Sequence, residues 1–294
     1  MSAPSPGRLR APAGACDCHI HIIPPQAQHP FSPDRSYTPR TAVLADLNAM
    51  HGQVGIERLV IVTPSTYGTD NAVTLEVIRE NGLERTRGVA VIDMDISDAG
   101  LQRLHAGGVR GIRINMEVRR EADPAEGMRR LQAAATRIAG SGWHIQANVR
   151  LSVIQALADE LAALPVQLVF DHYGHARGAE GIAQPGFAEM LALLRDGRAY
   201  VKLSAPYQAG SAPQYPELVA LAQACIAANR ERVLWGSNWP HPDLRPIPGY
   251  TVHEPRPYRE VDDAAAFDFV ARYAPDTATR QALFTDNPAR LYGF

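Results

Sequence analysis

Eight short runs of β-branched or apolar residues alternate with longer helical patterns along the chain of 294 residues. The runs cover residues 15–23, 58–63, 87–93, 109–115, 143–148, 166–172, 199–204 and 232–237. Such alternation is typical of parallel strands joined by crossover helices. Eight strand–helix units predict an α/β fold of the (β/α)8 TIM-barrel type. An open doubly wound sheet is the less favoured reading, because no glycine-rich phosphate loop follows an early strand.

The length and the hydrophobic fraction of 46% are sufficient for one large core. No internal repeat or linker divides the chain. We therefore predict a single catalytic barrel over residues 15–294, preceded by a flexible lead-in over residues 1–14.

Charge and cysteine content narrow the classes of partner. The formal net charge is −2 and no basic stripe is present, which argues against nucleic acid as a partner. No apolar run is long enough for a membrane span, and no apolar segment follows the first arginines as a signal peptide requires. Three cysteines do not form a disulfide framework. We expect a cytoplasmic protein that binds a small molecule, with a homo-oligomer left open.

Polar residues stand at the carboxyl ends of the predicted strands, where barrel active sites lie. His19 and His21 share one face of the first strand because they are two residues apart. The other strand ends carry Arg113, Gln146, Asn148, Asp171, His172, Lys202, Ser204, Ser237, Asn238 and His241. Buried groups of this kind are costly unless they are paired or used. Their convergence predicts a catalytic site at this end of the barrel.

Three motifs in this order resemble the amidohydrolase superfamily: the HxH pair of His19 and His21, FDHYGH at 170–175 and WGSNWPHP at 235–242. The lactonase branch, which includes enzymes of pyrone dicarboxylate and sugar lactones and an isomerase of galactarolactone, is the closer resemblance. YTPR (37–40), PSTYGTDN (64–71), GVRGIRIN (108–115) and DNPARLYGF (286–294) are similar to that branch. The resemblance covers nearly the whole chain and implies an amidohydrolase-like barrel.

The resemblance also bears on metal binding. Metal-using members have, besides HxH, a lysine or carboxylate on strand four, histidines on strands five and six, and an aspartate on strand eight. The matching positions here hold Arg113 or Asn115, Gln146 or Asn148, His172, and Asn238. A guanidinium cannot ligate a cation and repels one. We expect catalysis without metal or other cofactor; the alternative is one divalent ion, such as zinc, held by His19, His21 and His172.

Opening a lactone requires an electrophile at the carbonyl and a base for the attacking oxygen. We expect His19 and His21 to polarise the carbonyl and His172 to act as the base. Asn238 cannot accept a proton and is expected to orient an oxygen. The alternatives are a lactone isomerase, since Asn238 matches the isomerase of the branch, a metal-dependent hydrolase or decarboxylase, and a binding barrel without activity.

The substrate prediction rests on the arginines. The resemblance implies that Arg113 and Arg119 bind substrate carboxylates, as the planar guanidinium does well. A third arginine of the branch corresponds to Gln208 here, and a strand-five tyrosine corresponds to Asn148. The replacement of a cation by amide side chains favours a less anionic, more hydroxylated substrate: the lactone of a sugar acid rather than of the pyrone dicarboxylate, with another dicarboxylate left open. Further substrate contacts are expected from Tyr37, Ser65 and His241, and residues 241–260 are expected to form a wall or lid.

Overall fold

The computed structural model describes residues 8–117, 124–211, 214–243, 245 and 247–294. Eight parallel strands are hydrogen-bonded to one another in chain order. They are β1 (Cys16–Ile20), β2 (Arg58–Val62), β3 (Thr86–Ala90), β4 (Val109–Asn115), β5 (His144–Asn148), β6 (Leu168–Phe170), β7 (Ala199–Ser204) and β8 (Val233–Gly236). The prediction of a (β/α)8 barrel is confirmed.

The first and last strands meet beyond the end of β8. The Asn238 N–H donates to the His19 carbonyl at 2.9 Å, and the His21 N–H donates to the Trp239 carbonyl at 2.8 Å. These two bonds nearly close the barrel, and they bring the HxH motif of β1 into direct contact with the WGSNWPHP segment.

Helices connect the strands and cover their outer faces. They are α1 (Leu44–Val54), α2 (Ala72–Asn81), α3 (Asp98–Ala106), α4 (Pro124–Ile138), α5 (Leu151–Ala156), α6 (Ala158–Ala163), α7 (Phe187–Arg195), α8 (Pro206–Ala209), α9 (Leu218–Ala228), α10 (Asp263–Asp268), α11 (Val270–Tyr273), α12 (Thr277–Gln281) and α13 (Asn287–Tyr292). None of the helices in the described ranges is both long enough and apolar enough to cross a bilayer.

Alternation along the strands separates the outer core from the barrel interior. On β7, Ala199, Val201 and Leu203 pack outward in the large cluster formed with the helices. Tyr200 and Lys202 point inward, as the two-residue period of a strand requires. Tyr200 belongs to a separate cluster that fills the amino end of the barrel: Cys16, Cys18, Val60, Val62, Val89, Val169, Leu234 and Tyr292. All three cysteines are buried and free.

The start of the chain lies against the barrel. The Leu9 N–H donates to Asp268 at 2.8 Å, and the Ala11 N–H donates to the Val54 carbonyl at 2.9 Å. The predicted lead-in over residues 1–14 therefore has its described part, residues 8–14, bonded to the barrel, and its first seven residues lie outside the described ranges.

The long segment after β8 folds back over the loop after β1. Residues Pro255–Arg256 pair in parallel with Thr38–Pro39. The Thr38 hydroxyl donates to the Val252 carbonyl at 2.6 Å. The segment forms a wall at the carboxyl end of the barrel, as its position after the last strand predicts.

Candidate active site

A bulge in β1 turns both histidines of the HxH motif into the barrel. The register between β1 and β2 shifts between Asp17 and Ile20. Cys16 and Cys18 point inward before the shift, whereas Ile20 packs outward with residues of α1 and α2. The inward side therefore changes from even to odd positions, and the His19 and His21 rings lie 5.1 Å apart, edge to face. The expectation that they share one face is confirmed.

The end of β6 places two consecutive side chains in the interior. Asp171 points inward like Val169, two residues earlier. His172 would point outward on a regular strand, but its φ of 51° turns the chain and brings its ring within 4.7 Å of the His19 ring. Positive φ at a residue other than glycine is a strained conformation that occurs preferentially at functional sites.

Five side chains form a polar cluster beneath the barrel mouth, which we call the floor cluster: His19, Arg113, Gln146, Asp171 and Lys202. The Asp171 carboxylate accepts hydrogen bonds from Gln146 Nε2 at 3.1 Å and from Arg113 Nη2 at 3.4 Å. Its other oxygen lies 3.2 Å from His19 Nδ1 and 3.8 Å from Lys202 Nζ. Lys202 Nζ also donates to Gln146 Oε1 at 2.5 Å. One carboxylate therefore faces two fixed cations.

Burial and charge set the protonation of this cluster. Burial acts to raise the pKa of Asp171, but contact with His19, Lys202 and Arg113 holds it well below its usual range. Burial lowers the pKa of Lys202 to about 8, against the opposing effect of Asp171. Near pH 7 Asp171 is therefore ionised and Lys202 carries its proton.

The imidazoles of the site are neutral near pH 7. Burial is the main cause, and it lowers the pKa of His21 to about 3. The pKa values of His19 and His172 are likewise held well below their usual range, by burial and by the charge of Lys202. Each ring can therefore accept one hydrogen bond through its unprotonated nitrogen.

The tautomer of His21 follows from its contact with β2. His21 Nδ1 lies 2.8 Å from the Val62 carbonyl, which can only accept, so Nδ1 carries the proton. Nε2 is then an acceptor at the cavity. The expectation that His21 donates to a substrate carbonyl requires a proton on Nε2, and this arrangement does not provide one.

The two polar residues of β5, Gln146 and Asn148, lie at different depths in the barrel. Gln146 belongs to the floor cluster, whereas Asn148 lies at the rim and accepts from His175 Nε2 at 2.6 Å. Asn148 also donates to Asn115 at 3.0 Å. Both face inward because they are two residues apart on β5. At the end of β7, Ser204 holds His172 Nδ1 at 2.9 Å.

Asn238 is positioned by close packing at the end of β8. A Cβ atom on the preceding Gly236 would lie 2.8 Å from the His19 Cβ, so glycine is needed for β8 to approach β1. Asn238 itself has a φ of 62°, and its Nδ2 donates to the Tyr207 hydroxyl at 2.8 Å. Within the described residues its side-chain oxygen accepts no hydrogen bond, so it is an available acceptor at the cavity.

A cavity of about 900 Å³ opens at this end of the barrel. The predicted site residues that line it are His21, Tyr37, Ser65, Arg113, Asn148, His172, Gln208 and Asn238. His19 is fully buried behind His172 and does not line it. His241 does not line it either; its Nε2 lies 2.9 Å from Asp263 of α10. Arg119 lies outside the described residues.

The cavity has further charged residues that the strand pattern does not reveal. Arg150 lies 2.7 Å from Glu117 at the rim. Asp243, Arg245 and Arg259 line the side formed by the segment after β8, and we call them the arginine wall. They sit outside any strand, so periodicity gives no signal for their orientation. His175, which also lines the cavity, lay within the FDHYGH motif, and only its motif position could have identified it.

Three side chains of this site could supply ligands to a divalent metal. His19, Asp171 and His172 offer ligand atoms that all lie within 4.8 Å of one another, a set that contains Asp171 in place of the expected His21. The Asp171 carboxylate is already held by Arg113 and Lys202, and both cations would repel a divalent ion at that point. The residues present fit such an ion poorly.

Comparison with known proteins identifies the family of the chain. The profile of the amidohydrolase family matches residues 16–294, and the chain belongs to that family. It is 35% identical to the 2-pyrone-4,6-dicarboxylate hydrolase of Comamonas testosteroni, over 98% of this chain and 93% of that protein. It is 32% identical to the 4-sulfomuconolactone hydrolase of Rhizobium radiobacter, with the same two coverages.

A solved structure extends the comparison to three dimensions. The crystal structure of a putative 2-pyrone-4,6-dicarboxylic acid hydrolase from Pseudomonas putida superposes with a TM-score of 0.78 at 29% identity. The superposition covers 95% of this chain and 97% of the Pseudomonas putida chain. The resemblance to the lactonase branch of the amidohydrolases is thereby confirmed.

Proposed function

We propose that the protein is a hydrolase that opens the lactone ring of a small carboxylic acid, without a metal ion. The two lactone hydrolases to which it is similar support the reaction class. The observation that carries the proposal is the composition of one end of the cavity, where the guanidinium of Arg113 and the imidazoles of His21 and His172 line the same space. A cation and neutral bases are what ester hydrolysis requires.

In the proposed reaction a water oxygen attacks the lactone carbonyl carbon. His172 takes the proton of that water through Nε2, while Nδ1 donates to the Ser204 hydroxyl. The ring C–O bond then breaks, and the same proton passes from His172 to the leaving oxygen. The products are a carboxylic acid and a hydroxyl group on one open chain; the acid gives its proton, the second one of the water, to solvent and becomes a carboxylate.

Arg113 is the group best suited to the negative charge that develops on the carbonyl oxygen. Its guanidinium is a cation with five N–H donors, and the residue is 8% exposed, at the cavity end of the floor cluster. The neutral His21 accepts a hydrogen bond through Nε2. His19 is fully buried, and its role is to hold the His172 ring in place. Asn238 orients the attacking water through its side-chain oxygen.

The polar lining favours a hydroxylated acid as substrate. Asn148, Gln208, Ser65 and Tyr37 offer uncharged hydrogen-bonding groups around the cavity. Burial raises the pKa of Tyr37 to about 12, so its hydroxyl stays neutral and able to donate. The lactone of a sugar acid suits these groups; the lactone of a dicarboxylate is the alternative, favoured by the arginines.

Isomerisation of a lactone is the second candidate, and Asn238 is the observation that favours it. An amide cannot take a proton from water. In an isomerase a hydroxyl of the substrate would attack the carbonyl, and a lactone of different ring position would form without acid release.

A lactone panel tests the proposal. Purified protein is mixed with pyrone, aldonic and aldaric lactones under a pH indicator, before and after treatment with a chelator, and metal content is measured in parallel. We expect acid release that survives chelation. Loss of activity with chelator and recovery with zinc would overturn the metal-free reaction, and conversion without acid release would favour the isomerase.

A further inference from the structure

The arginine wall gives the cavity a second cationic end. Arg259 follows β8 and reaches over the end of β7, where its Nη1 donates to the Tyr207 carbonyl at 2.7 Å. Its guanidinium lies 5.2 Å from the centre of the Tyr207 ring. Arg113 comes from β4, which stands opposite β8 in a ring of eight strands. The two guanidinium groups therefore approach the cavity from opposite sides.

Arg259 is held in place before any ligand arrives. One nitrogen is bonded to the backbone of α8, the ring of Tyr207 supports the plane of the guanidinium, and the side chain is only 20% exposed. A guanidinium fixed in this way loses little conformational entropy when it binds a carboxylate. Nε faces Asp243, and Nη2 bonds no group in the described part of the chain, so it remains for a ligand.

Asp243 does not neutralise Arg259 fully, because it serves a second arginine. Its carboxylate lies 2.5 Å from Arg245 Nη2 but 3.6 Å from Arg259 Nε. Bonding to Arg245 lowers the pKa of Asp243 to about 2, so the carboxylate is charged at neutral pH. The wall holds two cations and one anion, which leaves room for one more negative group.

We propose that Arg259 anchors a carboxylate of the substrate, and that Asp243 sets how strongly it does so. This inference rests on the proposed function for the location of the reacting carbonyl, beside Arg113 and His172. The substrate then spans the cavity with its lactone at the floor cluster and a carboxylate at the wall. The cation missing at Gln208 is supplied by a residue about fifty positions further along the chain, on the same side of the cavity.

Two lactones of the same ring provide a matched pair of probes. Galactaro-1,4-lactone and galactono-1,4-lactone differ only at C6, which is a carboxylate in the first and a hydroxymethyl group in the second. We expect the native protein to favour the first by at least about tenfold in kcat/KM, since charge-assisted bonds of this kind are strong. Arg259→Gln should reduce that preference to near unity, and Arg259→Lys should retain part of it.

Asp243→Asn should act in the opposite direction. It removes the competing charge and keeps the shape, so the preference for the carboxylate lactone should rise several-fold. Asp196→Asn is the matched control, because Asp196 is exposed at the end of α7, before β7 and thus away from the cavity. It changes the net charge equally and should leave the preference unchanged. An equal rise in both variants would reduce the effect to overall charge and overturn the role of Asp243.

Binding of the open-chain acids separates this inference from the proposed function. Galactarate and galactonate are titrated by calorimetry into native protein and into Arg259→Gln protein with an unchanged melting temperature. A preference for galactarate that is lost in the variant supports the anchor even if no lactone is opened. Equal affinity of the native protein for both acids, or a preference that survives in Arg259→Gln, would overturn it.

Discussion

The floor cluster and the arginine wall are both built around one carboxylate and two cations, but they differ in burial. Asp171 and Lys202 on the floor are fully buried, whereas the side chain of Arg245 on the wall is 69% exposed and that of Asp243 is 12% exposed. Buried charges are costly unless they are paired, and exposed pairs contribute little to stability. One carboxylate and two cations therefore stabilise the fold where they are buried, at the floor. The similar group at the arginine wall is free to select ligands.

The chemistry should lie directly above the floor cluster, where His172 packs against His19, and His172→Ala is expected to have the largest effect. Removing a general base typically lowers rates by about 100- to 10,000-fold. The fall should be in kcat, with the melting temperature nearly unchanged, because the ring lines a cavity and is not part of the apolar core. Turnover within a few-fold of native would remove His172 as the base and break the division between the two regions.

Stability should separate the two carboxylates clearly. Asp171→Asn leaves Lys202 and Arg113 without their anion, and breaking a buried pair in this way costs about 3–5 kcal/mol. Asp243→Asn should cost clearly less, because its partner Arg245 is mostly exposed and solvent weakens the pair. Guanidinium unfolding of both variants measures the difference, and equal losses would contradict the assignment of a structural role to the floor alone.

The buried histidines predict the response of the fold to acid. The pKa values of His19, His21, His144 and His172 lie below the unfolded value of about 6.5, in two cases at about 3. Between pH 6.5 and about 3 the unfolded chain therefore binds protons that the folded chain does not. The free energy of unfolding should fall as the pH is lowered through this window.

His144 provides the variant that sharpens this test, because it starts β5 at the barrel end away from the cavity. His144→Gln removes one of these titrating groups without touching the site. The slope of the unfolding free energy against pH should become shallower by about one proton, and an unchanged slope would show that His144 does not remain neutral in the fold.

The smallest effect is expected where the two regions meet. Tyr207 bonds the floor side through Asn238 and the wall through Arg259. Tyr207→Phe removes one neutral hydrogen bond, worth about 1 kcal/mol. We expect a fall in kcat/KM of about fivefold, with the preference between carboxylate and hydroxymethyl lactones retained because Arg259 bonds the Tyr207 backbone. Loss of that preference would show that the hydroxyl, too, positions Arg259.

The floor could be predicted from the sequence because strand periodicity places its residues. The eight strands and the inward direction of Arg113 and Lys202 follow from apolar alternation and from the rule that barrel sites lie at strand ends. The inward direction of His19 depends on the bulge in β1, which alternation does not predict. That Asp171 and His172 both point inward could not be predicted from periodicity. Consecutive residues of a regular strand point to opposite faces, and only the positive φ at His172 turns its side chain inward as well.

The side chains of the arginine wall could not be predicted in the same way. Its residues lie in a proline-rich segment without a period, and their positions depend on contacts distant in sequence, such as that of Arg259 with Tyr207. The loss of an arginine at Gln208 therefore suggested a less anionic substrate, although Arg259 supplies a cation on the same side of the cavity. Comparing aligned positions alone misses a charge that returns from another segment.

Incorporation of oxygen from labelled water into the product tests the proposed reaction most directly. The protein converts a lactone in water enriched in oxygen-18, after chelation, and the product is examined by mass spectrometry. Hydrolysis in the cavity above the floor cluster predicts one labelled oxygen in each new carboxylate, formed at the native rate and lost in His172→Ala. An isomeric lactone without label, or label incorporation that requires added metal, would contradict it.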